Sequence, residues 1–287
     1  MDLIRQLKDA GFAEVLVLDG EECGYPEVGS IILALWPYEA EQTPAGTEAW
    51  IHPYYYASQK AYRAADDLAK AYADQGLVWR EDIRLKPLMA RLPIFTQGRN
   101  TLSYTEEFGS RFHVQILTLT PGLEPTMHLE ADNHPLHCGN CRECEKACPT
   151  NALEGGVFHR ERCLRNWQVS GQIYPEAVRE HMGNRLIGCD QCQRCCPHNR
   201  QPEGETMEPF LLIDILREPK AAAIAMRDQI GATITMFNRV LGGACIIAGC
   251  TGRIDLLPEL ERLTEHPSEA VRTHAMWAVE QISGKQM

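Results

Sequence analysis

Nine of the chain's twelve cysteines lie between Cys138 and Cys196, and their spacing is that of thiolates gathered on iron. The first run is Cys138-Gly-Asn-Cys141-Arg-Glu-Cys144-Glu-Lys-Ala-Cys148-Pro149, a C-x2-C-x2-C-x3-C-P pattern. Three cysteines at intervals of three wrap a loop round one [4Fe–4S] cubane, so that their sulfurs reach three irons. The fourth points away toward a second cluster, and the proline stops the turn from continuing. Such a run requires a partner, found at Cys189-Asp-Gln-Cys192-Gln-Arg-Cys195-Cys196-Pro197. This second run reads as C-x2-C-x2-C or as C-x2-C-x3-C-P. The latter closes the ligand count, with Cys138, Cys141, Cys144 and Cys196 on one cluster and Cys148, Cys163, Cys189 and Cys192 on the other. Cys195 is left over and competes as a ligand. Zinc is the alternative, because C-x2-C pairs also build zinc ribbons. A zinc site gives no reason for the successive x2 spacings and two Cys-Pro endings. Cys23, Cys245 and Cys250 sit among small or apolar residues and read as inert buried thiols.

Interleaved ligands bring two cubanes near each other, an arrangement suited to passing electrons singly. Burial and hydrogen bonds to sulfur would tune their potentials. The 287-residue chain has a formal net charge of −11, which argues against a general nucleic-acid binder and leaves room for a local basic groove. Twelve cysteines without a secretion signal fit a reducing compartment, where disulfides are rare. The first residues carry acids and lack the basic-then-apolar layout of a signal peptide. No run of about 18 apolar residues is present. The expected location is the cytoplasm, with no membrane partner.

The elements that must position this centre fall on either side of it. Apolar runs at 15–18 and 31–35, bounded by Gly and Pro, read as strands, as does 112–119; helical spacing covers 54–72. After the cysteines, 201–208 is a polar connection, followed by helical patches at about 209–217, 219–227, 235–250, 254–264 and 268–283. In the last, Val271, Ala275, Ala278, Val279 and Ile282 line one face. The stretch from His266-Pro267 to Ala278 resembles a HEAT repeat, a unit that serves as a docking surface for a protein partner or as a cap over the cluster domain. The fold expected is α+β multidomain. An α/β domain spans 1–126, a ferredoxin-like double-cluster domain 127–200, and a HEAT-like α-helical domain 201–287.

Four further motifs stand in a fixed order with the cysteine runs. They are Gly98-Arg99-Asn100-Thr101, Gly109-Ser110, Met182-Gly183-Asn184-Arg185 and Gly188-Cys189-Asp190-Gln191-Cys192-Gln193. This combination, with the helical repeat, resembles the epoxyqueuosine reductase family, itself similar to reductive dehalogenases. The resemblance implies a cobalamin between the α/β and iron–sulfur domains, fed by the clusters from a flavodoxin- or ferredoxin-type electron donor. Reduced cobalt would act on an epoxide in the anticodon-loop base of a tRNA, giving queuosine. By that resemblance Arg99, Asn100, Ser110 and Asp190 lie at or near the corrinoid. It also implies cobalt without a protein histidine, so His52, His113 and His128 receive no ligand role.

The departures from the family pattern concentrate round the same pocket. The N-terminal part lacks a segment around 24–30. The place of the family's proton-donating aspartate falls on Trp79, which leaves Glu81 and Asp82 as candidate catalytic acids, or as solvated loop acids. Arg99 replaces a lysine, keeping the charge but not the geometry. Thr96 stands where a tryptophan is usual, and Arg165 where a small polar residue is expected. Three functions follow: reduction of epoxyqueuosine in tRNA, corrinoid chemistry on or for a small molecule, and a non-catalytic electron relay with a docked partner. Tyr54, Tyr55 and Tyr56 could stack on a base or corrin; the plainer reading is one core residue with two surface neighbours.

Overall fold

The computed structural model describes residues 2–39, 46, 48–130, 138–199 and 207–284. In chain order the first elements are α1 (Leu3–Asp9), β1 (Glu14–Asp19), β2 (Ser30–Pro37), β3 (Trp50–Ile51), α2 (Pro53–Ala71), β4 (Leu77–Arg80) and α3 (Leu85–Met89). Then come β5 (Thr96–Gln97), β6 (Ser103–Tyr104), β7 (Phe112–Leu119), α4 (Glu143–Ala147), β8 (Leu153–Glu154), β9 (Val157–Phe158), α5 (Leu164–Gln168) and α6 (Glu176–Arg179). The chain continues through β10 (Arg185–Ile187), α7 (Gln191–Arg194), α8 (Leu212–Arg217), α9 (Pro219–Ile230), α10 (Phe237–Thr251), α11 (Leu257–Leu263) and α12 (Glu269–Gly284). The expected connection at 201–208 lies outside the described residues through 206. No described helix is long and apolar enough to cross a membrane.

Two compact units result. The first comprises Met1–Ala40, Tyr56–Arg142 and Cys196–Pro202. Its centre is a four-stranded sheet in the order β1-β2-β7-β4, antiparallel throughout. The strands are almost continuously apolar because both faces are covered. Successive side chains alternate between faces. Leu16, Leu18, Ile31, Leu33, Leu35, Phe112, Val114 and Ile116 pack with Leu88, Leu92 and Phe95 from the segment around α3. Val15, Val17, Ile32, Ala34, Leu117 and Leu119 meet Leu3 and Leu7 of α1 and Ala61 and Ala65 of α2. Pro53 opens α2 with its φ already helical. The buried Ala57, Ala61 and Ala65, four residues apart, let that helix lie close on the sheet. β4, which the sequence reading did not place, completes the sheet. Its Trp79 indole donates to Gln115 Oε1 at 2.7 Å, and the Gln115 amide meets His113 Nε2 at 3.0 Å. Burial holds the His113 imidazole down to about 4, hence neutral.

The second unit comprises Glu41–Tyr55, Glu143–Cys195 and Glu203–Met287. Most of the cysteine-rich segment, Glu143–Cys195, shares this unit with the C-terminal helices. The long α10 explains this, since it is buried along most of its length and packs on β10 as well as on α8, α9 and α12. Gly243 permits the contact, because a Cβ there would meet Leu186 Cδ1 at 2.8 Å. His274 Nε2 accepts from the Tyr174 backbone N–H at 3.1 Å, and Cys250 Sγ donates to the Arg179 carbonyl at 3.0 Å. β3 pairs in parallel with β10. Glu48 ties β3 to the helices by accepting from the Leu212 N–H at 2.6 Å and pairing with Arg253.

Candidate iron–sulfur and cofactor site

Within the second unit, α4 and α7 pack together and carry cysteines of both runs. Pro149 directly follows Cys148, and α4 has ended at Ala147, as the missing proline N–H requires. Cys192 lies among Cys189, Cys163, Cys195 and Cys148. Burial first, then the crowding of these sulfurs, pushes its thiol well above the ordinary range. Burial pushes Cys189 up to about 11. Two backbone N–H groups already point at sulfur: Ala152 N donates to Cys148 Sγ at 3.2 Å, and the Gln191 N–H to Cys189. Buried thiols that repel one another as anions, yet receive N–H donors, form a donor set that a multivalent cationic core would neutralise. Among the described residues no three Cys, His, Asp or Glu side chains converge as ligands of one metal ion do. The four sequence-predicted ligands of the second cluster fit the group.

The first unit holds Cys138, Cys141 and Cys196; Cys144 belongs to the other, on α4. Arg99 fastens the first cysteine loop, its guanidinium donating to the Cys141 and Gly139 carbonyls at 3.1 Å each. Asn100 is buried; its Nδ2 donates to the Tyr104 hydroxyl at 2.8 Å, and its Oδ1 accepts from the Leu102 N–H at 3.3 Å. Ser110 is also buried, its N–H and hydroxyl both donating to Asn199 Oδ1, at 2.7 and 3.2 Å. Gly109, at φ 58°, has no room for a side chain, since a Cβ would lie 2.3 Å from that oxygen. Three of the residues assigned by resemblance therefore brace Tyr104 and the segments bearing Cys138, Cys141 and Cys196. Sequence reasoning missed Tyr104, which shares the wall of one cavity with Cys196.

A cavity of about 970 Å³ opens beside these groups. Its wall includes Gly98, Tyr104, Cys138, Cys196 and His198, together with the carboxylates Glu14, Glu106 and Glu107. This volume is at the upper end of small-ligand sites. The cavity fits a large organic cofactor in contact with two cysteines of the first cluster. In the second unit, Asp190 pairs through Oδ2 with Arg194, while its Oδ1 is buried without a hydrogen-bond partner. A buried carboxylate oxygen left open is a place for an N–H donor such as a cofactor amide.

The predicted acids stand elsewhere. Glu81 and Asp82 are exposed, and neither lines the cavity. Asp82 accepts two hydrogen bonds from the Arg80 guanidinium, both at 2.7 Å. That fork holds its carboxyl down to about 2, far from the range of a proton donor at neutral pH. Arg80→Ala is expected to return Asp82 toward the ordinary carboxylate range, followed through its carboxyl carbon by NMR. An ordinary value in the unaltered protein would refute the pairing.

The tyrosine triplet differs from expectation: Tyr55 and Tyr56 are both buried and Tyr54 is half-buried. The reason lies opposite, where Gly188 leaves a space that a Cβ would fill against Tyr55 at 2.9 Å, and Arg165 Nε donates to the Tyr55 hydroxyl at 3.2 Å. Arg165, unexpected in sequence, thereby anchors the segment after Cys163. His52 accepts from the Tyr54 N–H, and His128 faces Glu22. None of the twelve cysteines forms a disulfide. Cys245 is fully buried and its thiol is pushed up to about 12, whereas Cys23 and Cys250 are half-buried.

Comparison with known proteins matches residues 137–199 to the 4Fe-4S double cluster binding domain. An epoxyqueuosine reductase of Gloeobacter violaceus is 41% identical over 37% of this chain and 33% of its own length. That of Listeria monocytogenes is 30% identical over 68% of this chain and 53% of its own. The chain spans about a third to a half of the length of the curated relatives it matches. Among solved structures, an epoxyqueuosine reductase with an epoxyqueuosine-modified tRNA-Tyr stem loop superposes with a TM-score of 0.76 at 22% identity. The superposition covers 98% of this chain and 89% of that one. The enzyme from Streptococcus thermophilus gives 0.75 at 20% identity, over 99% and 90%. At these identities the structures establish the shared fold.

Proposed function

The chain belongs to the epoxyqueuosine reductase-like family, and from that premise we propose that it is an iron–sulfur reductase passing electrons through two [4Fe–4S] clusters to a bound cobalamin. The observation that carries this reading is the cavity whose wall includes both Cys138 and Cys196. A group bound there would touch ligands of one cluster directly. Cys138, Cys141, Cys144 and Cys196 would hold that cluster, and Cys148, Cys163, Cys189 and Cys192 the other. A bound corrinoid supplies a strongly reducing cobalt.

The chain's own residues supply the remainder. Arg99 holds the first cysteine loop, Asn100 fixes the cavity-lining Tyr104, and Ser110 braces Asn199 next to the cavity-lining His198. Glu106 and Glu107, on the cavity wall, are better placed than Glu81 or Asp82 to deliver a proton to a leaving oxygen. The substrate proposed is the epoxide of epoxyqueuosine in tRNA, by analogy with the relatives' names. The carboxylates round the cavity and the overall negative charge favour contacts limited to a local groove, or a small-molecule substrate in its place.

The test is an anaerobic titration of cluster-reconstituted protein with cobalamin, followed by absorbance. A saturable change to the base-off spectrum supports the corrinoid enzyme, and reduction of epoxyqueuosine-bearing tRNA by the loaded protein then decides the substrate. No change, with both clusters confirmed, leaves an electron relay built on a reductase-like frame.

A further inference from the structure

We propose that Arg84, Lys86 and Arg91 form a shelf for the phosphate backbone of an RNA loop, holding one nucleotide with its base in the adjoining acid-walled cavity. This rests on the tRNA reading above and goes beyond it by placing the backbone on named residues.

Charge is distributed unevenly along the chain. Residues 83–105 carry four basic residues and no acidic one, within a protein whose formal net charge is −11. The four are Arg84, Lys86, Arg91 and Arg99. Arg99 is turned to the Gly139 and Cys141 carbonyls, which leaves three. Arg84 and Lys86 are exposed and Arg91 is half-buried. The partners described for Lys86 and Arg91 are the carbonyls of Thr101 and Glu130, both at 3.3 Å. A neutral carbonyl leaves the charge of its donor uncancelled and open to an anion.

The fold turns these side chains outward at the mouth of the cavity. Leu88, Leu92 and Phe95 fix the segment to the sheet on its apolar side. Lys86, Pro87, Ala90 and Pro93 are exposed on the other. Pro93 also belongs to the cavity wall, which continues through Ile94, Thr96 and Gly98. The bond from Lys86 to Thr101 ties α3 to the hairpin of β5 and β6, which supplies part of that wall.

Inside the cavity the sign reverses, with Glu14, Glu106 and Glu107 on its wall. An anion is drawn to the shelf and repelled from the interior. A ligand that satisfies both is anionic along one edge and neutral or cationic at the other. A nucleotide meets this requirement when its phosphates run outside and its base turns in. RNA loops present such unstacked bases on a continuous backbone. Cations spread from Arg84 to Arg91 suit successive phosphates of a chain better than one terminal phosphate.

The experiment is anaerobic fluorescence anisotropy of a labelled anticodon stem-loop RNA titrated with cluster-reconstituted protein over a range of salt. The unaltered protein is expected to bind. Arg84→Gln combined with Lys86→Gln should bind roughly 10- to 30-fold more weakly at about 0.1 M salt, with a salt slope shallower by about 1.4, as the loss of two phosphate contacts requires. Lys60→Gln, exposed on α2 across the sheet, should change neither. An unaltered protein that fails to bind overturns the tRNA reading and this proposal with it. Binding that the double variant keeps, or that Lys60→Gln loses equally, refutes the shelf alone. Adenosine monophosphate competing as well as the RNA, mole for mole, refutes an RNA backbone and assigns the shelf to a free nucleotide. Footprinting needs no variant: bound RNA should shield Lys86 from amine acetylation and leave Lys60 reactive. Equal labelling of Lys86 with and without RNA overturns the placement.

Discussion

Cys192→Ser is expected to lose about half of the iron and sulfide of the reconstituted protein, whereas Cys195→Ser keeps all of it. Cys192 is half-buried among Cys148, Cys163 and Cys189, and its thiol is held well above the ordinary range. Without iron that arrangement is unfavourable, since the sulfurs crowd one another and cannot ionise. With iron the same crowding becomes ligation, and cluster binding contributes directly to folding. Serine offers an alcohol that stays protonated where a thiol would yield its proton. The second cluster should fail to assemble, and thermal stability should drop with it. Cys195 is the sharper half of the test, because its sulfur also lies close enough to Cys192 to raise that thiol. It caps α7, one residue before Cys196, and proximity alone does not choose between them. Iron lost from Cys195→Ser and kept in Cys196→Ser would reverse the assignment and move the first cluster's fourth ligand by one residue.

The ligand set could be proposed from the sequence because cubane ligation is local: two residues between successive cysteines is a property of one loop. The strands at 15–18, 31–35 and 112–119 were legible for a similar reason, their apolar runs being buried on both faces. What lay beyond reach depends on pairs far apart in the chain. No pattern round Tyr104 announces that it lines a cavity with Cys196, and nothing near Arg99 shows that it clasps the Gly139 and Cys141 carbonyls. β4 escaped because four residues centred on an exposed Val78 and a polar-bonded Trp79 carry little apolar signal. The candidate acids Glu81 and Asp82 came from the resemblance, as neighbours of Trp79; both are exposed after β4, and the cavity wall carries Glu14, Glu106 and Glu107. Tyr55 is buried against the space left by Gly188 and within reach of Arg165, both from other segments. The resemblance supplied Asn100, Ser110 and Asp190 as residues of interest, and geometry supplies what each one touches.

Gly188→Ala is the substitution outside the ligands expected to do most damage, lowering the melting temperature by on the order of 10 °C. Two costs combine. Gly188 sits at φ 93°, where an L-residue is strained, and its Cβ would fall 2.4 Å from His52 Cβ and 2.9 Å from Tyr55 Cε2. Strain and overpacking of this kind together cost about 2–5 kcal/mol. Relief by movement is blocked on both sides. The Gly188 N–H donates to the buried Gln168 Oε1 at 2.8 Å, and Gln168 in turn donates to the Arg185 carbonyl at 2.9 Å. Tyr55 is held by Arg165, so the ring cannot swing aside without breaking that bond. The next residue is Cys189, and any shift of the backbone moves its sulfur. Cluster loss should therefore be selective, with the second cluster released first and the first retained under mild conditions. Gly139→Ala provides the comparison. It has φ 46° and nothing within 4 Å of an added Cβ, so it carries backbone strain alone, about 1 kcal/mol. Anaerobic thermal scans and iron analysis of the two variants separate strain from collision. Equal effects would mean that the contact with His52 and Tyr55 yields freely, and that Cys189 is not positioned by the packing proposed for it.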